Sequence, residues 1–196
     1  MRGMKTAPPH LEIACQQVLL DDASVFSVQQ ALFPASVATG LSPEKLLERY
    51  LAYIRICTLS IIRPMVLQTG IEFRLFGTEW SLITFSPPVV EADAVTSHIC
   101  GGLFVQSGRS ESGEFSFRAE DVADGVRVTI QLSGYFPMLL GGSPVSGIRF
   151  WLYRLTQSAI HRLATVRFLA LLHKELTGSP VAVRFVNISI YGGRPV

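Results

Sequence analysis

Two glutamates stand where a carboxylate could serve as general acid or base: Glu72 in "GIEFRLFG" (70–77) and Glu114 in "GEFSFRAE" (113–120). Each sits in an apolar/polar alternation, so each points to the sheet face opposite Ile71/Phe73 or Phe115/Phe117. If that face lines a cavity, a desolvated carboxylate titrating near neutrality becomes available for proton transfer. If it meets solvent, the same residues pair with Arg74 or Arg118 across strands and contribute little. Tyr135, in "IQLSGYFP" (130–137), is the third candidate. A buried phenol needs a hydrogen-bond partner and can orient a polar ligand head.

Other constellations carry less. His98 and Cys100, spaced i, i+2, share one strand face, but no third or fourth ligand follows at a useful spacing, so no metal is expected. Adjacency along a strand does not aim the imidazole at the thiol, which weakens a Cys–His nucleophile pair as well. His161 and His173 lie in a helical segment without HExxH spacing and are expected at the surface or a helix end. "GGSPVSGIR" (141–149) has the glycine spacing of a phosphate loop, but Ile148-Arg149 replaces the required Lys-Ser/Thr. What remains there is an anion at a helix start beside Arg149. No motif calls for a cofactor.

The elements that must hold these residues follow from periodicity. Segments 11–20 and 25–33 read as strands joined at Asp21-Asp22. "TGLSPEKLLERYLAYIRIC" reads as a helix with Ser42 as N-cap, Pro43 at its first position and Glu44 in its first turn, ending before Pro64. Period-two patterning then gives strands at 70–77, 79–86, 97–105, 113–120 and 125–136, joined by short turns as an antiparallel meander. In "CGGLFVQSGRSESGEF" (100–115), Gly108 to Gly113 form the bend, and Gly101-Gly102 mark a bulge or close approach.

Residues 148–176 read as one long helix stopped by Gly178 and Pro180. Its broad apolar face is Ile148, Trp151, Leu152, Leu155, Ala159, Leu163, Val166 and Ala170. A second strip, Tyr153, Ile160, Ala164 and Leu171, needs a cover: the tail strand within 181–191, a second subunit or a membrane surface. The expected organisation is a loose lead-in (1–10), one domain (11–178) and a C-terminal extension with one strand (179–196).

The totals narrow the class. The chain of 196 residues is 48% hydrophobic and 16% charged, against about 25% charged in ordinary soluble domains. A large two-sided core, an apolar ligand cavity or a covered apolar surface would each account for that. A net charge of +2 without a basic run predicts no nucleic-acid partner. The cysteines, Cys15, Cys57 and Cys100, are too scattered for a disulfide framework and suit a reducing cytoplasm. Pro8 and Pro9 break any signal-peptide core, Arg55 and Arg63 interrupt the most apolar stretch, and "NIS" (187–189) is a glycosylation acceptor on paper only. The expectation is a soluble cytoplasmic protein without a transmembrane segment.

A curved antiparallel sheet buries its concave face most simply by wrapping around a long helix, and a cavity can remain between them. With "GRSESGEFSF" (108–117), "IQLSGYFP" (130–137) and "WLYRLTQSAIHRLATVRFLALL" (151–172), the chain resembles the START-related (SRPBCC) helix-grip superfamily, which includes pollen-allergen-like proteins and polyketide cyclases. Within that group it is similar to an uncharacterised bacterial family. Gly108, Glu111, Gly113, Glu114 and Phe117 match that family's first motif; Arg109 and Ser110 stand where the resemblance leads one to expect His and Pro, a departure that counts against any His-dependent chemistry. The resemblance covers about residues 42–176 and implies an α+β helix-grip fold with an internal cavity for a hydrophobic or amphipathic small molecule, and no established activity. Phe73, Trp80, Phe85, Phe104, Tyr135, Phe136, Trp151, Tyr153 and Leu155 are the expected lining, against the alternative of plain core.

Three functions fit: a module binding a lipid-like, aromatic or polyketide-like ligand; a cyclase/aromatase using Glu114, Glu72 or Tyr135; or a homodimeric interaction domain using the long helix.

Overall fold

The computed structural model describes residues 10–38, 40–109, 113–141 and 145–196. In chain order the elements are β1 (His10–Leu19), β2 (Val25–Phe33), α1 (Ala35–Ala38), α2 (Pro43–Cys57), β3 (Ile62–Leu67), β4 (Gly70–Leu75), β5 (Ser81–Phe85), β6 (Val89–Val90), β7 (Ala94–Gly101), β8 (Glu114–Val122) and β9 (Gly125–Tyr135). The long helix follows as α3 (Gly147–Tyr153), a π-helical turn (Arg154–Ser158) and α4 (Ala159–Thr177), and β10 (Ala182–Asn187) and β11 (Arg194–Pro195) end the chain. Among the described residues no helix is long and apolar enough to cross a membrane.

The strands form one sheet in the order β10-β1-β2-β9-β8-β7-β5-β4-β3, with β11 on β1 and β6 on β7. The meander is antiparallel throughout, whereas β10 joins β1 in parallel. Helices α2 and α4 pack on the inner face, where Leu46, Tyr50, Ile54, Phe168, Leu169 and Leu172 meet Ile13, Phe33, Phe117, Val128 and Ile130. This is the helix-grip arrangement: a curved sheet wrapped around a long C-terminal helix.

Several local signals act as expected. The Ser42 side chain accepts a hydrogen bond from the Lys45 amide at the start of α2. A Cβ on Gly102 would come within 2.5 Å of the Leu82 carbonyl oxygen, and its φ is +120°, so this position is a close backbone approach that only glycine accommodates. Ser110, Glu111 and Ser112 of the 108–113 bend lie outside the described residues, as do Gly142, Ser143 and Pro144 of the glycine-rich stretch and residues 1–9 of the lead-in.

Other expectations are corrected. Pro64 sits inside β3, a strand the periodicity did not predict; β3 is the last strand of the sheet, and an edge tolerates a missing N–H. The strand expected at 97–105 runs from Ala94 to Gly101, after which the chain leaves the ladder with Gly102. The largest correction is the orientation of the long helix. Ile148, Trp151, Leu152, Leu155 and Leu163 face outward and are half to three-quarters exposed, while Phe150, Tyr153, Ser158, Thr165, Phe168, Leu169 and Leu172 are buried. The π turn places the buried residues Tyr153 and Ser158 five positions apart, which breaks the regular 3.6-residue wheel.

The tail does not lie over the whole second strip. It extends the sheet past β1 and folds Ile188 and Tyr191 onto the outer face, where the Tyr191 and Phe26 rings lie 4.5 Å apart. Phe185 of β10 reaches Arg162 on α4.

Phe117 sits at the centre of this assembly, with its ring 4.8 Å from Phe115 and 5.2 Å from Tyr50. Truncating such a ring removes its burial and leaves a cavity. Phe117→Ala is therefore expected to cost about 3–5 kcal/mol in urea unfolding, with far-ultraviolet circular dichroism unchanged below the transition.

Candidate functional site

Neither carboxylate candidate reaches the space between sheet and helix. Glu72 lies on the face of β4 opposite Ile71 and accepts hydrogen bonds from Arg74 Nε and Ser81 Oγ, both at 2.7 Å. The Arg74 bond, followed by that of Ser81, holds its carboxyl below the usual range. Glu114 stands opposite His98 across β7/β8 and lies 3.6 Å from its Nδ1, with both side chains half exposed. Cys100 is exposed on the same outer side, and among the described residues no group of three or more His, Cys, Asp or Glu could hold a metal ion.

Tyr135 is buried at the inner end of β9, and its hydroxyl donates to the Phe104 carbonyl at 2.8 Å. Burial pushes its phenol well above the ordinary range, as it does that of the neighbouring Tyr153. Tyr135 thus ties the 102–105 segment to the core and has its hydroxyl proton already engaged.

The aromatic candidates divide. Phe73 and Phe85 line a small enclosed cavity of about 10 Å³ with Leu47, Leu51, Phe115 and Phe117. That is room for about one water, in an apolar setting. Phe104 is half-buried and Phe136 buried, the latter beneath the Arg109 guanidinium at 4.9 Å. Trp80, Trp151 and Leu155 are 66%, 51% and 70% exposed, so none lies in the sheet–helix interior. At the helix start, Ser146 caps α3 by accepting from the Arg149 amide, and the Arg149 side chain lies against Gly141.

The inner surface nearer β1 and β2 is different in kind, and the candidate site lies there. Gln17, Ser27 and Gln29 share the inward face of β1 and β2, with Gln17 opposite Ser27 and Cys15 opposite Gln29. From the helix, Gln157, Ser158 and His161 face the interior. Gln17 Nε2 donates to the Ser158 carbonyl at 3.4 Å, and Gln29 Nε2 donates to Ser27 Oγ at 2.9 Å. Gln17 Oε1, Gln29 Oε1, both amide atoms of Gln157 and His161 Nε2 are buried without a hydrogen-bond partner. A buried polar atom left unpaired costs about 1–3 kcal/mol. Native interiors hold few of them, and those of Gln17 and Gln29 lie on side chains that border open space.

Beside Gln17 and Gln29 the sheet edge and the helix diverge into two adjoining hollows of about 530 and 460 Å³, which share Gln17, Arg154, Arg162 and Val196. The first is walled by Leu155, Leu163, Val166 and Phe185; the second reaches Cys15 and Gln29. Arg154 stacks 5.1 Å from the Trp151 ring centre and Arg162 stacks 5.6 Å from that of Phe185. Among the described residues neither guanidinium has a carboxylate partner. A third hollow of about 510 Å³, between α2 and α4, contains the Arg49–Glu175 ion pair at 3.4 Å and so has part of its charge already matched.

None of these cleft residues except Leu155 was among the sequence candidates. The available signal was Gln157, His161 and Thr165 at i, i+4, i+8, a polar stripe on an otherwise apolar helix. His161, expected at the surface, faces the Phe115 ring at 6.3 Å. Burial alone pulls its pKa from 6.5 down to about 4.

No family model matches the chain, and no curated protein sequence does either. Among solved structures it is similar to the Aha1 dimer from Colwellia psychrerythraea, at 18% identity over 76% of this chain and 93% of the other, with a TM-score of 0.42. It is similar to CalU16 from Micromonospora echinospora at 13% identity, over 90% of this chain and 79% of the other, with a TM-score of 0.41. Against Ara h 8.0201 the figures are 12% identity, 74% and 98% coverage, and a TM-score of 0.39.

The His161 environment sets a pH dependence. Its folded pKa lies below its unfolded one, so its contribution is complete above pH 6.5 and is lost as pH falls toward about 4. Glu72, with a lowered pKa, loses its contribution only below the carboxylate range. His173, also lowered by burial, adds a smaller slope of the same sign. Urea unfolding between pH 7 and 5 is expected to show declining stability in the wild type, with a flatter profile in His161→Gln.

Proposed function

We propose that the protein binds a hydrophobic or amphipathic small molecule in the cleft between β1/β2 and the long helix. The observation that carries this reading is the pair of unpartnered buried amide oxygens of Gln17 and Gln29, which border adjoining hollows with apolar walls. A ligand with polar groups at one end would satisfy atoms that the chain leaves unpaired, and its apolar body would cover Leu155, Leu163 and Phe185. The hollow falls within the range of about 300–1,000 Å³ of small-molecule sites. The π turn at the rim supports the same placement, since such turns concentrate at functional sites.

A cyclase-type activity has less support. Glu72 and Glu114 point away from the interior, and the Tyr135 hydroxyl is committed to the Phe104 carbonyl. Titration with the neutral fluorescent probe N-phenyl-1-naphthylamine is expected to give saturable binding. Ala159→Trp, at an exposed helix position bordering the hollow, should weaken it at least tenfold with little change in melting temperature. Absence of saturable binding, or equal binding by the variant, would refute this placement.

The outward row Ile148, Trp151, Leu152, Leu155, Ile160 and Leu163 favours a second reading, self-association through the long helix. Light scattering after gel filtration should then give a dimer mass for the wild type and a monomer mass for Leu152→Glu; a monomeric wild type would sink it.

A further inference from the structure

Resting on that binding site, we propose that its ligand is an amphipathic carboxylate bearing a hydroxyl close to the acid group, with the acid held by Arg154 and Arg162 and the hydroxyl by Gln17 and Gln29.

Charge is the first observation. Arg154 and Arg162 are eight residues apart, about 12 Å along an α-helix, and both border both hollows. Each is oriented by an aromatic ring rather than by an acid. A guanidinium lying on a ring keeps its edge N–H donors available, and those donors match a planar carboxylate. Among the described residues the other titratable side chains bordering the hollows are the Tyr191 phenol and the Cys15 thiol. Burial pushes the thiol up more than Arg162 pulls it down, so it stays neutral and does not offset the two cations. Among the described side chains that line the hollows, none is a carboxylate that would offset the two arginines.

Hydrogen-bond polarity is the second. Gln29 is fully buried, and its amide nitrogen is already spent on Ser27; Gln17 spends its nitrogen on the Ser158 carbonyl. What each has left is an acceptor oxygen. A carboxylate cannot donate to it, but a hydroxyl can. If either amide is turned over, the vacant group becomes a donor, which a hydroxyl satisfies equally well. An acid alone would answer the arginines and leave the glutamines unpaired; an alcohol alone would do the reverse. Leu155, Leu163, Val166 and Phe185 then provide the wall for a hydrocarbon body.

The test is displacement of N-phenyl-1-naphthylamine from the full-length protein at neutral pH and low salt by dodecanol, dodecanoate and β-hydroxydodecanoate. The expected order of affinity is β-hydroxydodecanoate, then dodecanoate, then dodecanol. Arg154→Gln/Arg162→Gln should weaken both acids by about tenfold or more, the size expected for losing a charge-assisted hydrogen bond, while dodecanol stays within about twofold. Gln17→Met should abolish the advantage of the hydroxy acid over dodecanoate and leave the latter unchanged. Acids that bind no better than dodecanol, or a double arginine variant that binds them as the wild type does, would overturn the headgroup assignment and leave the cleft as a site for neutral ligands. Failure of all three compounds and of the probe itself would instead remove the binding site on which the assignment rests.

Discussion

Everything about the interior turns on one helix having to close one curved sheet. The inner face of the sheet is long, and the helix that lies against it presents a mixed surface: Phe168, Leu169 and Leu172 toward its C-terminal end, and Gln157, Ser158 and His161 nearer its middle. Burying the first set is favourable by roughly 1.5–3 kcal/mol per side chain. Burying the second set is unfavourable unless each polar atom finds a partner. The helix cannot do one without the other, because both sets lie on the same face of a single rigid element.

The consequence is an interior with two ends of different character. Toward β4, β5 and β8, the rings of Phe73, Phe85, Phe115, Phe117 and Tyr50 pack edge-on or tilted at 4.8–5.8 Å and leave about 10 Å³ unfilled. Nothing of ligand size fits there without moving several rings at once. Toward β1 and β2 the sheet contributes Gln17, Ser27 and Gln29 instead of rings, and the helix carries the π turn. Packing fails there in both senses: hollows open, and polar atoms stay unpaired. The aromatic end therefore fixes the helix, and the polar end is where the molecule has room to bind.

The sequence was most readable where local rules decide. The β1 and β2 spans, the Ser42 cap with Pro43, the stop at Gly178 and the placement of Glu72 and Glu114 opposite their apolar neighbours all follow from alternation, capping and backbone sterics, although alternation alone does not say which of the two faces meets solvent. It misled where a tertiary partner overrides hydrophobicity. The wheel that placed Trp151, Leu152 and Leu155 inside followed the richest apolar stripe. The sheet in fact receives a poorer one, because the π turn shifts the register and the glutamine-bearing strands face that stretch of helix. Pro64 marked only a limit for the preceding helix, and the strand around it is legible only from its place at the sheet edge. The cleft residues share this difficulty: Gln17, Gln29 and Arg162 come from distant parts of the chain, and only strand pairing brings them to one place.

Adjacent glutamines on β1 show how closely the cleft is tied to the tail. Gln16 points outward, and its Oε1 accepts from the Ile190 and Tyr191 amides at 2.7 and 3.1 Å, pinning the segment after β10 to the sheet. Gln17 points inward, and its Oε1 has nothing to accept from. The Gln17 carbonyl in turn receives the Val196 amide at 3.2 Å, which sets that residue as part of the cleft wall. The same two residues of one strand thus satisfy the backbone of the tail on one side and offer an open acceptor on the other. A strand that served only to extend the sheet would gain from an apolar residue at position 17, which would remove the unpaired oxygen at no loss to the ladder. Retaining an amide there makes physical sense when a second molecule completes the hydrogen bond.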